Sequence, residues 1–225
     1  DNVPYKTEEI DYTVLDKLEK EYDIKLENTG PINSGIVSVV FNARYGIDSK
    51  KVVIKILKKN IKERLVEVFN EIKLLADISS YIPYIRNYEF VKIVENNKEL
   101  IINQTDFLQE SNNIKIFKEK NKNLPEFRIP FVYDGITNKY KNVLVMENIK
   151  GMTYTEIKNF DPKIKDIFGR LIYKFAVNCI FYHNIIHCDG HPGNIFFYIN
   201  DDDKMPKYQI GYIDFGICSF PSKEN

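Results

Sequence analysis

Residues His187-Cys188-Asp189-Gly190-His191-Pro192-Gly193-Asn194 crowd two imidazoles, a carboxylate and an amide into one turn-rich segment, and Asp214-Phe215-Gly216 follows twenty residues after Asn194. Both segments lead into or out of apolar strands, Ile195 to Ile199 and Tyr208 to Ile213, joined by a polar hairpin tip at Asp201-Asp202-Asp203-Lys204. Upstream, Ile164, Ile167, Phe168, Leu171, Ile172, Phe175, Cys179 and Ile180 keep helical spacing as far as His183, behind an N-cap and proline at Asp161-Pro162. A long buried helix therefore delivers the chain to His187. Such an arrangement needs a substantial core, and 225 residues that are 44% apolar and 13% aromatic supply one. One large domain or two tightly joined lobes is the expectation, and wholesale disorder is excluded. Thirty-two basic residues balance thirty-two acidic ones, which removes the electrostatic footprint of nucleic-acid binding.

Cys179, Cys188 and Cys218 form neither a C-x-x-C pair nor a disulfide framework, so a reducing compartment, the cytoplasm, is expected. The longest apolar runs fall far below the roughly 20 residues of a membrane-spanning helix. Alternating charge with Leu15, Leu18, Tyr22 and Ile24 predicts a short amphipathic helix within Asp11 to Lys25. Gly30-Pro31-Ile32-Asn33-Ser34-Gly35 reads as a loop, followed by a strand over Ile36 to Ala43, a turn at Tyr45 to Ser49 and a second strand over Lys51 to Leu57. A helical face at Ile61, Leu65, Val68, Ile72 and Leu75 follows, then a second helix over Asp106 to Asn121. On that helix Glu110 shares a side with Phe107 and Ile114, and a carboxylate aimed at a core needs a cation or donors to meet it. Phe131-Val132-Tyr133, a turn at Asp134-Gly135 and Asn142 to Glu147 read as a second strand pair.

Phosphoryl transfer from a nucleotide requires a carboxylate that orients or deprotonates the acceptor, and carboxylate and amide oxygens that hold magnesium on the phosphates. Asp189, Asn194 and Asp214 stand in the order and spacing of a kinase catalytic loop and magnesium-binding triplet. His187-x-Asp189-x-His191-Pro192-Gly193-Asn194 with Ile213-Asp214-Phe215-Gly216 resembles the aarF/UbiB family of atypical kinases and is also similar to aminoglycoside and choline phosphotransferases. Asp106-Phe107-Leu108-Gln109-Glu110-Ser111-Asn112-Asn113 resembles the former family's acidic-aromatic-x-x-Glu-Ala-x-Asn helix, and Val143 to Gly151 resembles its hinge. The likeness runs from about residue 30 to the end.

This resemblance implies a protein-kinase-like, two-lobed α+β fold with an N-lobe over residues 1–149 and a C-lobe beginning at 150. It implies ATP and Mg2+ as cofactors, Lys55 on the α- and β-phosphates, and Glu110 as its ion-pair partner, with Glu71 the rival. Asp189 would orient the acceptor and Asn194 and Asp214 would bind magnesium. The backbone at Asn33, Ser34 and Gly35 would cover the phosphates, and Glu147 and Ile149 would present backbone groups to adenine. His187 reads as a brace for the loop, and His191 stands where protein kinases carry a lysine, which leaves the phosphate acceptor unknown and open to a small hydroxylated molecule. A nucleotide-binding pseudokinase scaffold is the alternative from another class. The chain departs from the family's pattern in lacking Lys-x-Gly-Gln within residues 1–29, in carrying Asn33-Ser34-Gly35 for an alanine-rich loop, and in Gln104 for an acidic residue. It starts at Asp1 and stops nine residues after Gly216, short of the activation segment and helices with which kinase folds continue. It is therefore read as a fragment whose C-lobe is truncated, with the rest supplied by a longer chain, and whose long helix exposes apolar surface.

Overall fold

A computed structural model describes residues 4–79, 81–82, 84, 89–201 and 203–221. Asp1 and Asp202, both singled out in the sequence, lie outside the described residues. The elements form a mixed helix-and-sheet fold organised around two clusters of buried side chains.

The first cluster fills one face of a five-stranded antiparallel sheet, in which β1 (Ile24–Leu26), β3 (Ser38–Tyr45), β4 (Lys50–Leu57) and β6 (Val143–Glu147) lie in that order and β2 (Asn33–Ser34) pairs with β3. Helix α1 (Tyr12–Tyr22) is capped by Asp11, whose carboxylate accepts from Thr13 N–H, and it seats Val14, Leu15 and Leu18 on this face. The strands β3 and β4 run in register from Ser38 opposite Leu57 to Tyr45 opposite Lys50. Side chains on a strand alternate between faces, so Val52, Ile54 and Ile56 enter the first cluster while Val53, Lys55 and Leu57 point to the other side. Lys55 owes its direction to that alternation.

On this other side lies α4 (Phe107–Lys120), which belongs to the second cluster with α7 (Pro162–Val177) and the antiparallel hairpin of β8 (Ile195–Ile199) and β9 (Tyr208–Tyr212). The short strand β5 (Phe127–Arg128) adds to β9 in parallel. Asp161 caps α7 with Pro162 in its first turn, and the helix runs into a single π turn, Asn178–Tyr182, before β7 (Ile186–His187). Phe168, Phe175 and Cys179 are buried, whereas Tyr173, Phe181 and Tyr182 are each more than 70% exposed. Pairing of Ile195 with Tyr212 puts the two ends of the hairpin side by side, and Ile213 N–H donates to the Asn194 carbonyl at 3.0 Å.

Four expectations need correction. Asp134-Gly135 opens a short helix, α5 (Asp134–Lys139), because Ile136 and Thr137 find burial beneath it; the strand pair on either side reduces to one bridge between Val132 and Met146. Asn33 and Ser34 are strand rather than loop, since β3 offers them the partners Val40 and Val39. In α2 (Ile61–Ser79) the buried residues are Ile61, Leu65, Phe69 and Ala76, and Val68, Ile72 and Leu75 are exposed. The helix packs on α3 (Phe90–Asn103), which the sequence reading left unassigned and which buries no side chain fully. A further short helix, α6 (Tyr154–Ile157), precedes α7, and β10 (Cys218–Ser219) pairs with β7.

Candidate active site

Strand β4, helix α4 and the two ends of the β8–β9 hairpin converge on Lys55. Its ammonium lies 2.7 Å from Glu110 Oε1 and 3.2 Å from Asp214 Oδ2. Glu110 is 3% exposed, a depth at which a carboxylate requires a partner. Glu71, the rival, sits exposed on α2. Asp106 caps α4 by accepting from the N–H groups of Leu108 and Gln109, which fixes the turn that carries Glu110.

The electrostatics of this trio follow from its burial. Desolvation pulls the Lys55 ammonium down, but the carboxylates of Asp214 and Glu110 outweigh it and hold the group charged. For Glu110 burial is the largest influence and raises its pKa against the pull of Lys55. Asp214 is held below the usual carboxylate range by Lys55, against the opposing effect of burial. Its backbone adopts φ of +62°, the left-handed region, which is uncommon for residues with a Cβ and which Asp enters more readily than most.

Asn194 ends the Pro192–Asn194 3-10 turn and commits its amide nitrogen to Asp189, reaching the carbonyl and Oδ2 at 3.0 Å each. With Nδ2 so used, the amide oxygen is the group with which Asn194 can accept a cation. Asp214 contributes a second hard oxygen donor, its Oδ1 accepting from Gly216 N–H at 3.3 Å. An amide and a carboxylate fit Mg2+, which retains water and is commonly completed by substrate phosphates. Among the described residues no group of three or more His, Cys, Asp or Glu is placed to hold a metal by itself.

His187 braces the loop. Its Nδ1 accepts from Asp189 N–H at 3.3 Å, and its ring packs against Phe117, Tyr212 and Phe215. Burial lowers its pKa despite the nearby Asp214 and Asp189, so the imidazole is kept neutral. His191 Nδ1 accepts from Gly193 N–H at 3.1 Å, while its Nε2 stands 3.8 Å from Asp189 Oδ1. Desolvation raises the thiol pKa of both Cys188 and Cys218; Cys218 packs against the second cluster, whereas Cys188 is exposed and fills no space in the core.

Other expected site residues lie around this centre. Gly35 N–H is engaged by the Ser38 carbonyl at 2.9 Å in the turn after β2. Met146 is buried, and Glu147 N–H donates to the Phe131 carbonyl at 2.7 Å. The Ile149 carbonyl accepts from the Tyr198 hydroxyl. Tyr198 was not singled out in the sequence; Asn113, one turn beyond Glu110 on the same face of α4, was read there as the closing Asn of the helix motif but given no role. The motif match and the spacing from Glu110 were the signals for Asn113; Tyr198 gave none, since its contacts join residues far apart in the chain.

A family model, the ABC1 atypical kinase-like domain, matches residues 1–225. The chain belongs to this family. It is also 29% identical over 213 residues to a protein of Enterobacter sp. (strain 638) described as "Probable protein kinase UbiB", an alignment covering 91% of this chain and 36% of that protein. The chain thus spans about a third of the length of the curated relative it matches. ABC1 membership agrees with the mixed α and β fold, and among the described residues no helix is long and apolar enough to cross a membrane.

Proposed function

We propose that this ABC1 domain binds ATP with magnesium and either transfers the γ-phosphoryl group to a hydroxyl acceptor or hydrolyses it. The observation that carries this reading is the meeting of Lys55, Glu110 and Asp214 within 3.2 Å, beside Asn194 and Asp189 at the open end of one hairpin. Lys55 holds the α- and β-phosphates, and Glu110 fixes the direction of its ammonium. Asn194 and Asp214 hold magnesium, which supplies neutralisation of phosphate charge. Asp189, steadied by Asn194 Nδ2 and by its own N–H bond to His187, orients the acceptor hydroxyl and takes up its proton.

The turn at Gly35 covers the phosphates by its backbone, although the Gly35 N–H is shared with Ser38. At the hinge, Glu147 and Ile149 meet the adenine edge. Because Tyr198 occupies the Ile149 carbonyl, the Ile149 contribution is its amide. The placement of His191 beside Asp189 favours a small hydroxylated acceptor over a protein side chain as the second reading.

Thermal denaturation of the chain with ATP and magnesium tests the proposal. A ligand present at 100 times its Kd stabilises the folded state by about 2.7 kcal/mol. Wild type should show a magnesium-dependent rise in Tm that Lys55→Ala and Asp214→Ala both abolish. A folded wild-type chain with no shift at millimolar nucleotide would sink the reading.

A further inference from the structure

Helix α4 grips the residue after Asp214 at both of its backbone groups. Asn113 Nδ2 donates to the Phe215 carbonyl at 2.8 Å, and Phe215 N–H donates to Glu110 Oε1 at 3.4 Å. Cys218 Sγ adds a weak thiol bond to the same carbonyl at 3.4 Å. Asn113 and Glu110 stand one helical turn apart and therefore reach the same strip of chain.

Asn113 is 3% exposed, between the buried Glu110 and the buried Ile114 and Phe117. An amide at that depth is costly unless it is paired. The Phe215 carbonyl is the partner the fold provides. On the other side of this contact, the Phe215 ring is fully buried against Phe117 and His187, so the peptide cannot swing to find another donor without opening the core. Immediately before it, Asp214 holds its left-handed φ of +62°. Glu110 is occupied by Lys55 at 2.7 Å and has only the longer contact with Phe215, so the short bond from Asn113 is the stronger hold.

We infer that Asn113 is the positioning residue that keeps Asp214 in its cation-holding backbone conformation, and that through it the seating of α4 sets the affinity of the site for magnesium. The role of Asp214 in this inference rests on the proposed function. Withdrawal of α4 strips the Phe215 carbonyl of its amide donor, releases the left-handed residue before it and turns the Asp214 carboxylate away from Asn194.

The test compares the wild-type chain with Asn113→Leu, which keeps the heavy-atom branching and removes the donor at some cost in crowding, and with Asn113→Ala, which removes the donor and leaves space. Amide hydrogen exchange without ligand should accelerate at residues 214–218 in both variants and stay unchanged in the β3–β4 hairpin. Calorimetric titration with ADP at a series of magnesium concentrations should show the magnesium midpoint raised about tenfold, the effect of one buried acceptor that loses its short amide donor and keeps only the weak Cys218 thiol. ADP affinity at saturating magnesium should stay within about twofold, because Lys55 and the hinge are untouched.

Exchange that is the same in wild type and both variants overturns the inference. So does an unchanged magnesium midpoint in a folded variant, or a loss of ADP affinity that saturating magnesium does not restore, which would make Asn113 a packing residue. If Asn113→Leu fails to fold, Asn113→Ala decides. A wild-type chain that binds no ADP at any magnesium concentration refutes the proposed function instead, and the exchange data still decide whether Asn113 holds residues 214–218.

Discussion

Single residues here carry consequences that the pH scale can read. His187 is kept neutral by burial, against the pull of Asp214 and Asp189. Its folded pKa lies below the ordinary value of 6.5, so the unfolded chain binds the extra proton as pH falls through that value. Stability from this group is complete above about 6.5 and is lost below it. Tm should therefore fall between about pH 7 and pH 5, and His187→Gln should flatten that slope. Asp214, held low by Lys55, adds its own loss only in the more acidic range below its ordinary 3.8. A slope unchanged in His187→Gln would assign the acid sensitivity elsewhere, with His183 the next group to substitute. At this scale much was legible. Lys55 between two isoleucines, Glu110 on an apolar helix face, and the Asp189, Asn194 and Asp214 spacing all pointed to groups that the fold gathers. Their partners beyond one pair were not legible, because the contact of Lys55 with Asp214 spans the whole intervening chain and no periodicity encodes it.

Elements show where local signals stop. Helices α1, α4 and α7 announce themselves by caps and by one buried face, and the β3–β4 and β8–β9 hairpins by β-branched and aromatic runs. Helix α3 passed unread because no capping side chain marks its start, although its apolar residues gather on one side and none of them is fully buried. Helix α5 passed as a turn because Asp134-Gly135 has turn chemistry, and only the burial of Ile136 and Thr137 favours a helix. A tighter constraint lies at Tyr198, whose ring is wedged between two glycines. A Cβ on Gly151 would stand 2.6 Å from Tyr198 Cε1 and 2.9 Å from the Phe197 carbonyl, and one on Gly211 would stand 2.9 Å from the Tyr198 hydroxyl. The ring cannot retreat from one side without meeting the other. Gly151→Ala should cost about 1–3 kcal/mol, a drop in Tm of about 2–4 °C for each kcal/mol in a chain of this size. Adding Tyr198→Leu should cost less than the sum of the two single changes in a double-mutant cycle. Strict additivity would show that the wedge is not shared.

The molecule as a whole joins two cores across β4 and β6, since Leu144 and Met146 of β6 pack in the second cluster with Val53 and Leu57 of β4 against it, while Val143, Val145, Val52, Ile54 and Ile56 pack in the first. Exposed apolar side chains gather at Val68, Ile72 and Leu75 on α2 and at Tyr173, Phe181 and Tyr182 around the end of α7. The balanced net charge of the chain is repeated in miniature around Lys55, whose one positive charge faces Glu110 and Asp214. Whether Glu110 is ionised or protonated, this trio offers no surplus of positive charge. A bare polyphosphate approaching it meets no net positive charge. On the proposed function the cleft would act as an electrostatic turnstile that admits the anion with its cation, so ADP should bind the chain measurably more weakly in chelator than in magnesium, and equal affinities would show that the lysine alone draws the phosphates in.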